Sequence, residues 1–208
     1  MLPIAAEGWG FILVPLAMAV LLAWAGWIKA ALLLGVVALF MAFFFRDPER
    51  TAPAIPGAIL APADGRVVDV RVAVDDPFVG PAQAVSIFLS PFDVHVNRSP
   101  LAGLVVGVEY RAGAKLAAYR SEASERNERT SIAIQGEASR VIVRQIAGVL
   151  ARRIVCRVRP GDKLASGERF GMIKFGSRTD LIMPASVRLS VKPGDRVRAG
   201  STVVGVLP

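Results

Sequence analysis

Two long uncharged apolar runs occupy the first quarter of the chain, and short β-type runs follow them. The apolar runs cover Trp9–Trp27 and Ala30–Phe45, with Lys29 as the charge between them. A membrane-spanning helix needs about 20 apolar residues, with about 17–25 tolerated. The pattern predicts two short helices joined at Gly26–Lys29, as a hairpin with both ends on one side. One long tilted or monotopic insertion is the alternative.

Proline and glycine divide the rest of the chain into short runs of β-branched residues. Regularly spaced short strands with turn residues between them are typical of all-β sandwiches and barrels. The polar segment Gly113–Arg129 is the exception, and we interpret it as a loop or a surface helix. The predicted strands are Arg66–Val72, Ala84–Leu89, Leu104–Tyr110, Thr130–Ile134, Arg140–Ile146, Arg153–Val158, Thr179–Met183 and Val203–Val206. The sequence therefore predicts a membrane-anchoring helical segment over residues 1–50 and a β-rich domain over residues 51–208.

An internal repeat marks the β-rich region. Val158–Gly167 and Val191–Gly200 match at an offset of 33 residues, and each holds a Pro-Gly-Asp turn and a closing glycine. Glycine permits the positive φ that such turns require. Ala61–Val68 is similar to the opening strand of the same kind of unit. The pattern resembles the barrel-sandwich hairpins of biotinyl and lipoyl carriers, although neither copy has a carrier lysine at a hairpin tip.

Charge and composition narrow the range of partners. The formal net charge is +8, the isoelectric point is near 10.5, and 53% of the residues are hydrophobic. Arg46 and Arg50 follow the second apolar run, and the positive-inside rule then places the β-rich domain on the cytoplasmic side of the inner membrane. An anionic lipid surface explains the positive charge more simply than nucleic acid, since no stacking or recognition-helix motif is evident. The one cysteine, Cys156, excludes an intrachain disulfide, and one cysteine with one histidine cannot make a zinc site.

The dipeptide Gly176-Ser177 carries the candidate chemistry. A Gly-Ser pair is an ordinary turn dipeptide, but here it is also a bond that the chain itself could cut. The segment Gly167–Ser177, with Phe175 before the dipeptide, resembles the processing site of phosphatidylserine decarboxylases. Four further segments agree with that family in order and spacing. They are Phe45–Arg50, Ala61–Gly65, Leu89–Gly103 and Arg126–Arg129.

The resemblance implies a cofactor that is made from the chain. The Ser177 hydroxyl would attack the Gly176 carbonyl to form an ester, and β-elimination would separate residues 1–176 from residues 177–208. Hydrolysis with loss of ammonia would leave a covalent pyruvoyl group, a pyruvate cofactor, at position 177. The two fragments are expected to stay together as a heterodimer or a larger assembly of it. The pyruvoyl ketone would form a Schiff base with phosphatidylserine and stabilise the carbanion left by carbon dioxide, giving phosphatidylethanolamine.

The resemblance also assigns roles to three polar residues. His95, the only histidine in the chain, lies where the family keeps a histidine used in decarboxylation or substrate protonation, and imidazole is suited to proton transfer near neutral pH. Asp64 matches the aspartate that larger members pair with a second histidine as the base for self-cleavage. Arg98 stands in place of that histidine, so either Asp64 works through His95 or self-cleavage depends on strain. Arg98 is also a candidate ligand for the substrate's phosphate or carboxylate.

Two alternatives stay open from the residues themselves. Ether-linked archaetidylserine-type lipids offer the same amine and carboxylate as phosphatidylserine. A non-enzymatic, membrane-tethered adaptor or carrier-like module would use the Pro-Gly-Asp repeats only as hairpin turns.

Overall fold

The chain folds as two compact units, Met1–Glu49 and Arg50–Pro208. The computed structural model describes residues 3–114, 116, 123–148, 154–174 and 176–208. The residues outside these ranges include Phe175 of the candidate cleavage segment, Arg153 of a predicted strand, and Lys115 with residues 117–122 of the polar segment.

The first unit is a helical hairpin. Helix α1 covers Trp9–Trp24 and helix α2 covers Ile28–Phe44. Gly26 between them has a φ of +81°, a left-handed conformation that glycine adopts without steric cost. The start of the chain returns to the end of α2, where the Ala5 N–H donates to the Phe45 carbonyl at 2.8 Å. The predicted helical hairpin is confirmed.

The hairpin exposes much of its apolar surface. Among the described residues, Ala6–Trp24 is the one helical stretch that is long and apolar enough to cross a membrane. It includes a 3-10 turn, Ala6–Gly8, before α1, whereas Ile28–Phe44 is shorter, with 17 residues. Trp24 and Trp27 at the turn are 90% and 68% exposed, as suits aromatic side chains at a membrane interface.

The regular secondary structure of the second unit is almost wholly antiparallel strand. β-Branched residues occur in most of the strands, as is usual on a pleated and partly buried surface. A short helix, α3 (Ala123–Arg126), lies between β5 and β6. The strands are β1 (Ala58–Leu60), β2 (Gly65–Asp76), β3 (Gly80–Leu89), β4 (Val96–Arg98), β5 (Gly103–Arg111), β6 (Arg129–Gly136), β7 (Arg140–Ile146), β8 (Ile154–Cys156), β9 (Lys163–Leu164), β10 (Arg169–Ile173), β11 (Ser177–Pro184), β12 (Arg188–Leu189), β13 (Arg196–Val197) and β14 (Val203–Val206).

Eight of these strands form one curled sheet, in the order β13-β2-β3-β11-β7-β6-β5-β9. Two three-stranded sheets, β1-β14-β12 and β4-β10-β8, pack against it. Ile59, Phe170 and Val204 of the small sheets share the main core with Val85 and Leu181 of the large sheet. This is the all-β, barrel-sandwich-like domain that the sequence predicts.

The second unit contains two copies of one substructure, related by an approximate twofold axis. The large sheet is symmetric about its β11-β7 pair, because β3, β2 and β13 on one side match β6, β5 and β9 on the other. Reciprocal hydrogen bonds join the copies, since the Leu60 N–H donates to the Pro100 carbonyl and the Arg98 N–H donates to the Pro62 carbonyl. Arg98 follows Leu60 by 38 residues, and Pro100 follows Pro62 by the same number.

The Pro-Gly-Asp repeats occupy equivalent places in the two copies. The Gly194 N–H donates to a carbonyl of β2 and the Gly161 N–H donates to a carbonyl of β5, each at 2.8 Å. The counterpart of Ala61–Val68 is Ser99–Val106, which keeps the proline, the glycine and the two valines. The repeats seen in the sequence are therefore parts of a larger duplicated unit.

The twofold axis passes through the middle of the large sheet. Leu181 of β11 pairs with Val143 of β7. These two residues are also 38 apart and occupy equivalent positions in the two copies, so the twofold axis maps the pair onto itself. One copy consists of β1–β3 and β11–β14, and the other consists of β4–β10. The second copy is thus inserted into the first, and the chain re-enters the first copy at Ser177, where β11 begins.

Each of the eight predicted strands has a counterpart in the structure, although β8 ends at Cys156, before its predicted end at Val158, and six other strands are not predicted by the sequence. β2 extends to Asp76, past its predicted end at Val72. The unpredicted strands are β1, β4, β9, β10, β12 and β13, which have two to five residues each. Such short segments hold too few residues for an alternating pattern, and their partners are distant in the sequence.

A side chain at Gly65, at the start of β2, is expected to destabilise the domain. The φ of Gly65 is +146°, and a Cβ there would overlap the Phe88 carbonyl oxygen. We expect Gly65→Ala to lower the free energy of unfolding by about 3 kcal/mol or more, because backbone strain and overpacking each cost about 1–3 kcal/mol. Gly107→Ala is the matched control, since a Cβ at Gly107 would meet only the Ala133 Cβ, at 3.8 Å. Thermal unfolding of the full chain in detergent measures both variants, and equal melting temperatures would contradict the prediction.

Candidate active site

Ser177 is the first residue of β11 and pairs with Leu89 of β3. Side chains alternate along a strand, so Ser177 shares a face with Leu181 and Met183, which belong to the main core. The Ser177 hydroxyl is fully buried, and it has no hydrogen-bond partner among the residues that the structure describes. Leaving a buried hydroxyl without a partner costs about 1–3 kcal/mol. The fold therefore keeps an unsatisfied oxygen at the predicted cleavage site.

Gly176 leads into β11 in a left-handed conformation. Its φ is +57°, and a Cβ there would meet nothing within 4 Å. The backbone conformation, rather than a lack of space, is therefore what favours glycine at this position. The peptide bond before Ser177 lies directly after a bend at Gly176.

His95 lies directly before β4 and is fully buried. Its ring Nδ1 is 2.9 Å from the Asp93 carbonyl oxygen. A carbonyl can only accept a hydrogen bond, so Nδ1 carries a proton, and in the neutral form of the ring the lone pair lies on Nε2. Asp93 is itself held, because its carboxylate accepts the Ser90 N–H at 2.8 Å and the Ser90 hydroxyl at 2.6 Å. The turn therefore fixes both the tautomer and the orientation of the ring.

Two backbone contacts hold the segment that ends at His95 beside the segment that ends at Ser177. Leu89 pairs with Ser177, and six residues later the His95 carbonyl accepts the Ile173 N–H at 3.3 Å. These two segments are thus joined at both ends, Leu89 to Ser177 and His95 to Ile173. The structure brings the predicted nucleophile and the predicted proton-transfer residue to the same end of the domain.

A buried amide network lies on the same face of β11, two residues beyond Ser177. Asn97 Nδ2 donates to the Thr179 hydroxyl and to the Pro62 carbonyl, each at 3.2 Å. Gln145 Nε2 donates to Asn97 Oδ1 at 2.9 Å. Nothing in the sequence points to Thr179 or Gln145, because they lie 82 and 48 residues from Asn97 and only the fold brings the three together.

Asp64 lies directly before β2, at the end of the sheet where β11 begins. Each of its carboxylate oxygens accepts a hydrogen bond from Arg50, and Oδ1 also accepts the Ala199 N–H at 2.8 Å. Arg50 donates in addition to the Ala199 carbonyl at 2.8 Å. The structure therefore pairs Asp64 with Arg50, an arginine to which the sequence assigned no role in the site. The place of Arg50 at the end of the family segment Phe45–Arg50 is the signal that points to it.

Arg98 ends β4 and is 3% exposed. Its Nη1 donates to the Gly167 carbonyl at 3.1 Å, and a Cβ at Gly200 would lie 2.9 Å from its Cδ. Gly167 and Gly200 close the two Pro-Gly-Asp repeats, so Arg98 lies at the junction of the two copies. Little of its side chain faces solvent, and its role as a substrate ligand stays a prediction.

The approximate symmetry offers a second view of the site. The Gly57 carbonyl accepts the Leu207 N–H at 2.9 Å, as the His95 carbonyl accepts the Ile173 N–H. Each residue of the predicted site has an equivalent position 38 residues away, earlier or later in the chain. Gly57 corresponds to His95, Ala102 to Asp64, Ala138 to Gly176 and Ser139 to Ser177. These four counterparts line one cavity of about 150 Å³. The symmetry thus predicts that the four residues lie around one place, and the equivalent place lined by their counterparts lacks the imidazole, the carboxylate and the glycine.

The single cysteine is a poor competitor for the role of nucleophile. Cys156 lies in β8, and burial raises the pKa of its thiol. A thiol with a raised pKa holds little thiolate at neutral pH. Within the described part of the chain, no group of three histidine, cysteine or acidic side chains could hold a metal ion.

Known proteins resemble this chain over nearly its whole length. The family model for phosphatidylserine decarboxylase matches residues 37–205. A phosphatidylserine decarboxylase proenzyme of Symbiobacterium thermophilum is 50% identical, covering 99% of this chain and 96% of the relative. Proenzymes of the same name from Chlorobium phaeobacteroides and Burkholderia multivorans are 46% and 43% identical, covering 95% and 98% of this chain and 96% of each relative.

These relatives are enzymes rather than adaptors or carriers, and they match both the apolar start and the β-rich remainder of the chain. The match therefore favours the enzymatic interpretation over a tethered binding module. The chain belongs to the phosphatidylserine decarboxylase family.

Proposed function

We propose that this chain removes the carboxylate of phosphatidylserine, giving phosphatidylethanolamine and carbon dioxide, with a pyruvoyl group made from Ser177. The observation that carries the proposal is the buried Ser177 hydroxyl, which lacks a partner among the described residues and directly follows a left-handed glycine. The name proenzyme, shared by the relatives, supports a chain that requires processing.

Self-cleavage begins at the bond between Gly176 and Ser177. The Ser177 Oγ attacks the Gly176 carbonyl carbon, and an ester replaces the amide as the nitrogen of residue 177 leaves. Loss of the Cα proton of residue 177 expels residues 1–176 as a carboxylate and leaves dehydroalanine. Tautomerisation and hydrolysis then release ammonia and leave a ketone at the head of residues 177–208. The sequence of steps consumes water and needs no oxidant or reductant.

The surroundings of residue 177 suit a carbonyl group. The serine oxygen is fully buried, and conversion removes a hydroxyl that lacks a partner among the described residues. A pyruvoyl ketone at position 177 would supply an electrophile for the substrate's amine and would draw electrons from the bond to the substrate's carboxylate. Pairing with Leu89 keeps position 177 at the end of β3.

His95 is the residue that we assign to proton transfer. Its Nδ1–H donates to the Asp93 carbonyl, so Nε2 is the ring atom that we assign to accept the Ser177 hydroxyl proton during self-cleavage. The same atom then returns a proton to the substrate carbon after carbon dioxide leaves. The chain holds one histidine, so no second imidazole shares this work.

Asp64 acts on the site by charge and by holding the chain, rather than as the proton carrier. Each carboxylate oxygen of Asp64 already accepts a hydrogen bond from Arg50, so the carboxylate is engaged in holding that arginine. The Ala199 N–H adds a third donor. Proton transfer therefore falls to His95, while Asp64 ties Arg50 to the start of β2.

The two fragments are expected to stay together as a heterodimer after cleavage. β11 pairs with β3 through eight residues and with β7 through five residues. The fragment 177–208 therefore begins with a central strand of the large sheet, and breaking its link to Gly176 leaves those hydrogen bonds intact.

The membrane supplies the substrate in this proposal. The apolar stretch Ala6–Trp24 is long enough to insert in a bilayer, and the net charge of +8 suits anionic lipid on the cytoplasmic face of the inner membrane. Archaetidylserine-type ether lipids carry the same headgroup. Parallel assays with ester-linked and ether-linked lipid decide between the two substrates.

Ser177→Ala is expected to leave one uncut chain that releases no carbon dioxide, because the nucleophile and the cofactor precursor are both lost. Ser139→Ala is the matched control, since Ser139 is the counterpart of Ser177 in the other copy and its hydroxyl is likewise buried without a partner among the described residues. The control is expected to be cut and active. Intact mass separates the full chain from fragments 1–176 and 177–208, and a cut Ser177→Ala variant would contradict the assignment.

His95→Gln is expected to lower carbon dioxide release by about a hundredfold or more, since a positioned general acid or base contributes about 10²–10⁴-fold. Release of labelled carbon dioxide from carboxyl-labelled phosphatidylserine is measured per mole of the 177–208 fragment. This normalisation separates slow maturation from slow turnover. Wild-type turnover by the cut variant would show that another group moves the proton.

Asp64→Ala tests whether this carboxylate holds Arg50 or carries a proton. We expect the variant to be cut after Gly176, and to lose about 3 kcal/mol in free energy of unfolding because a nearly buried arginine loses its partner. Unfolding is measured in the Ser177→Ala background, where the chain remains in one piece. The double variant Arg50→Met/Asp64→Leu is expected to regain much of the loss. An uncut Asp64→Ala variant of wild-type stability would contradict this role.

A further inference from the structure

We propose that Asp180, acting through Arg178, is a positioning residue that keeps residue 177 in register after the chain is cut. The inference rests on the proposed self-cleavage between Gly176 and Ser177. Arg178 and Asp180 lie on the face of β11 opposite to Ser177, because side chains alternate along a strand. Their role is to hold the strand rather than to take part in the bond changes.

The two side chains form a buried ion pair. Arg178 is 1% exposed and Asp180 is 0% exposed. Arg178 Nε donates to Asp180 Oδ1 at 2.6 Å, and its Nη2 donates to the Ser86 hydroxyl at 2.6 Å. Ser86 belongs to β3 and is the backbone partner of Asp180. The guanidinium is thus fixed between its own strand and the neighbouring strand by charge-assisted hydrogen bonds.

Asp180 extends this clamp to two further elements. Its Oδ2 accepts the Ser124 hydroxyl at 2.7 Å, and Nη2 of Arg71 in β2 lies 3.5 Å from the same oxygen. Ser124 belongs to α3, in the connection between β5 and β6. In the other copy, residues 77–79 alone join β2 to β3. Helix α3 is therefore an addition, and through Ser124 it contacts β11, the strand that follows the predicted cleavage site.

The backbone pairing shows why residue 177 needs such support. Ser177 pairs with Leu89 of β3, whereas the pairing of β11 with β7 begins only at Arg178 and Ile146. A chain end with fewer hydrogen-bonded neighbours frays more readily than the interior of a sheet. After cleavage residue 177 has lost its covalent link to Gly176, and Arg178 is the next side chain that holds it.

The other copy gives an internal comparison. The counterparts of Arg178 and Asp180 in β7 are Arg140 and Ile142, so the acidic partner is missing there. Arg140 is exposed, and its Nε donates to Gln135 Oε1 at 2.7 Å. Burying an ion pair carries a desolvation penalty. The molecule accepts that penalty in the strand that begins with Ser177 and not in its uncut counterpart, which points to a role at position 177.

The test replaces Asp180 with asparagine and uses Asp76→Asn as the matched control. Asp76 is a buried carboxylate on the same sheet, 3.4 Å from Arg144, and it lies at the opposite end of β2 from the cleavage site. Each variant is purified as the full chain in detergent. The melting temperature, the fraction cut after Gly176, and kcat and KM per mole of the 177–208 fragment are measured for each.

We expect Asp180→Asn to be cut and to lose between about tenfold and a hundredfold in kcat with little change in KM, because a misplacement of about 1 Å can cost about a hundredfold. Asp76→Asn is expected to keep the wild-type kcat even where its melting temperature falls as far. A loss of kcat that simply follows the melting temperature in both variants would overturn the proposal.

Arg178→Lys and Ser86→Ala keep the test decisive where Asp180→Asn fails to fold. Lysine keeps a positive charge beside Asp180 but cannot hold Asp180 and Ser86 together as a planar fork. Both variants are expected to lose kcat by a smaller factor, and wild-type kcat in both would overturn the inference. A wild-type chain that is never cut after Gly176 would overturn the proposed function and this inference with it, whereas a cut wild type with unaltered variants overturns the inference alone.

Discussion

The pairing of β11 with a neighbour on each side is the interaction on which the rest of this structure depends. β3 comes from the same copy of the duplicated unit and β7 comes from the other, so β11 joins the two copies at their common axis. Its inner face completes the main core through Leu181 and Met183. A chain cut just before such a strand can keep its fold, because the hydrogen bonds and apolar contacts that hold the strand do not pass through the broken bond.

Duplication gives the molecule two equivalent places, of which only one carries the side chains of the predicted site. The turns, the strand order and the reciprocal hydrogen bonds are common to both copies. One of the two equivalent places, built from both copies, combines an imidazole, a carboxylate and a Gly-Ser bond, at His95, Asp64 and Gly176-Ser177. The other has Gly57, Ala102 and Ala138 at these positions, although its Ser139 is kept. The framework therefore supplies position, and a few side chains supply the proposed chemistry.

Two buried acidic residues are likewise present in one copy and replaced by apolar residues in the other. Asp64 with Arg50, and Asp180 with Arg178, lie near the start of β11, and the counterparts of the two acids are Ala102 and Ile142. Buried ion pairs seldom add net stability compared with apolar residues of the same size. Their concentration beside the predicted cleavage site is therefore better explained by the need to hold particular backbone segments in place than by the stability of the sheet.

The sequence by itself determined the local features of this protein. Uncharged length indicates the hairpin, β-branched runs between turn residues indicate the eight predicted strands, and the order of family segments identifies Ser177 and His95 as candidates. The tertiary structure decided which distant residues meet. It pairs Asp64 with Arg50, joins Thr179 to Asn97 and Gln145, and connects Arg178 to Ser86. A local pattern depends on the period of one strand or helix, whereas these contacts depend on which strands become neighbours, and that is settled only when the two copies close around β11.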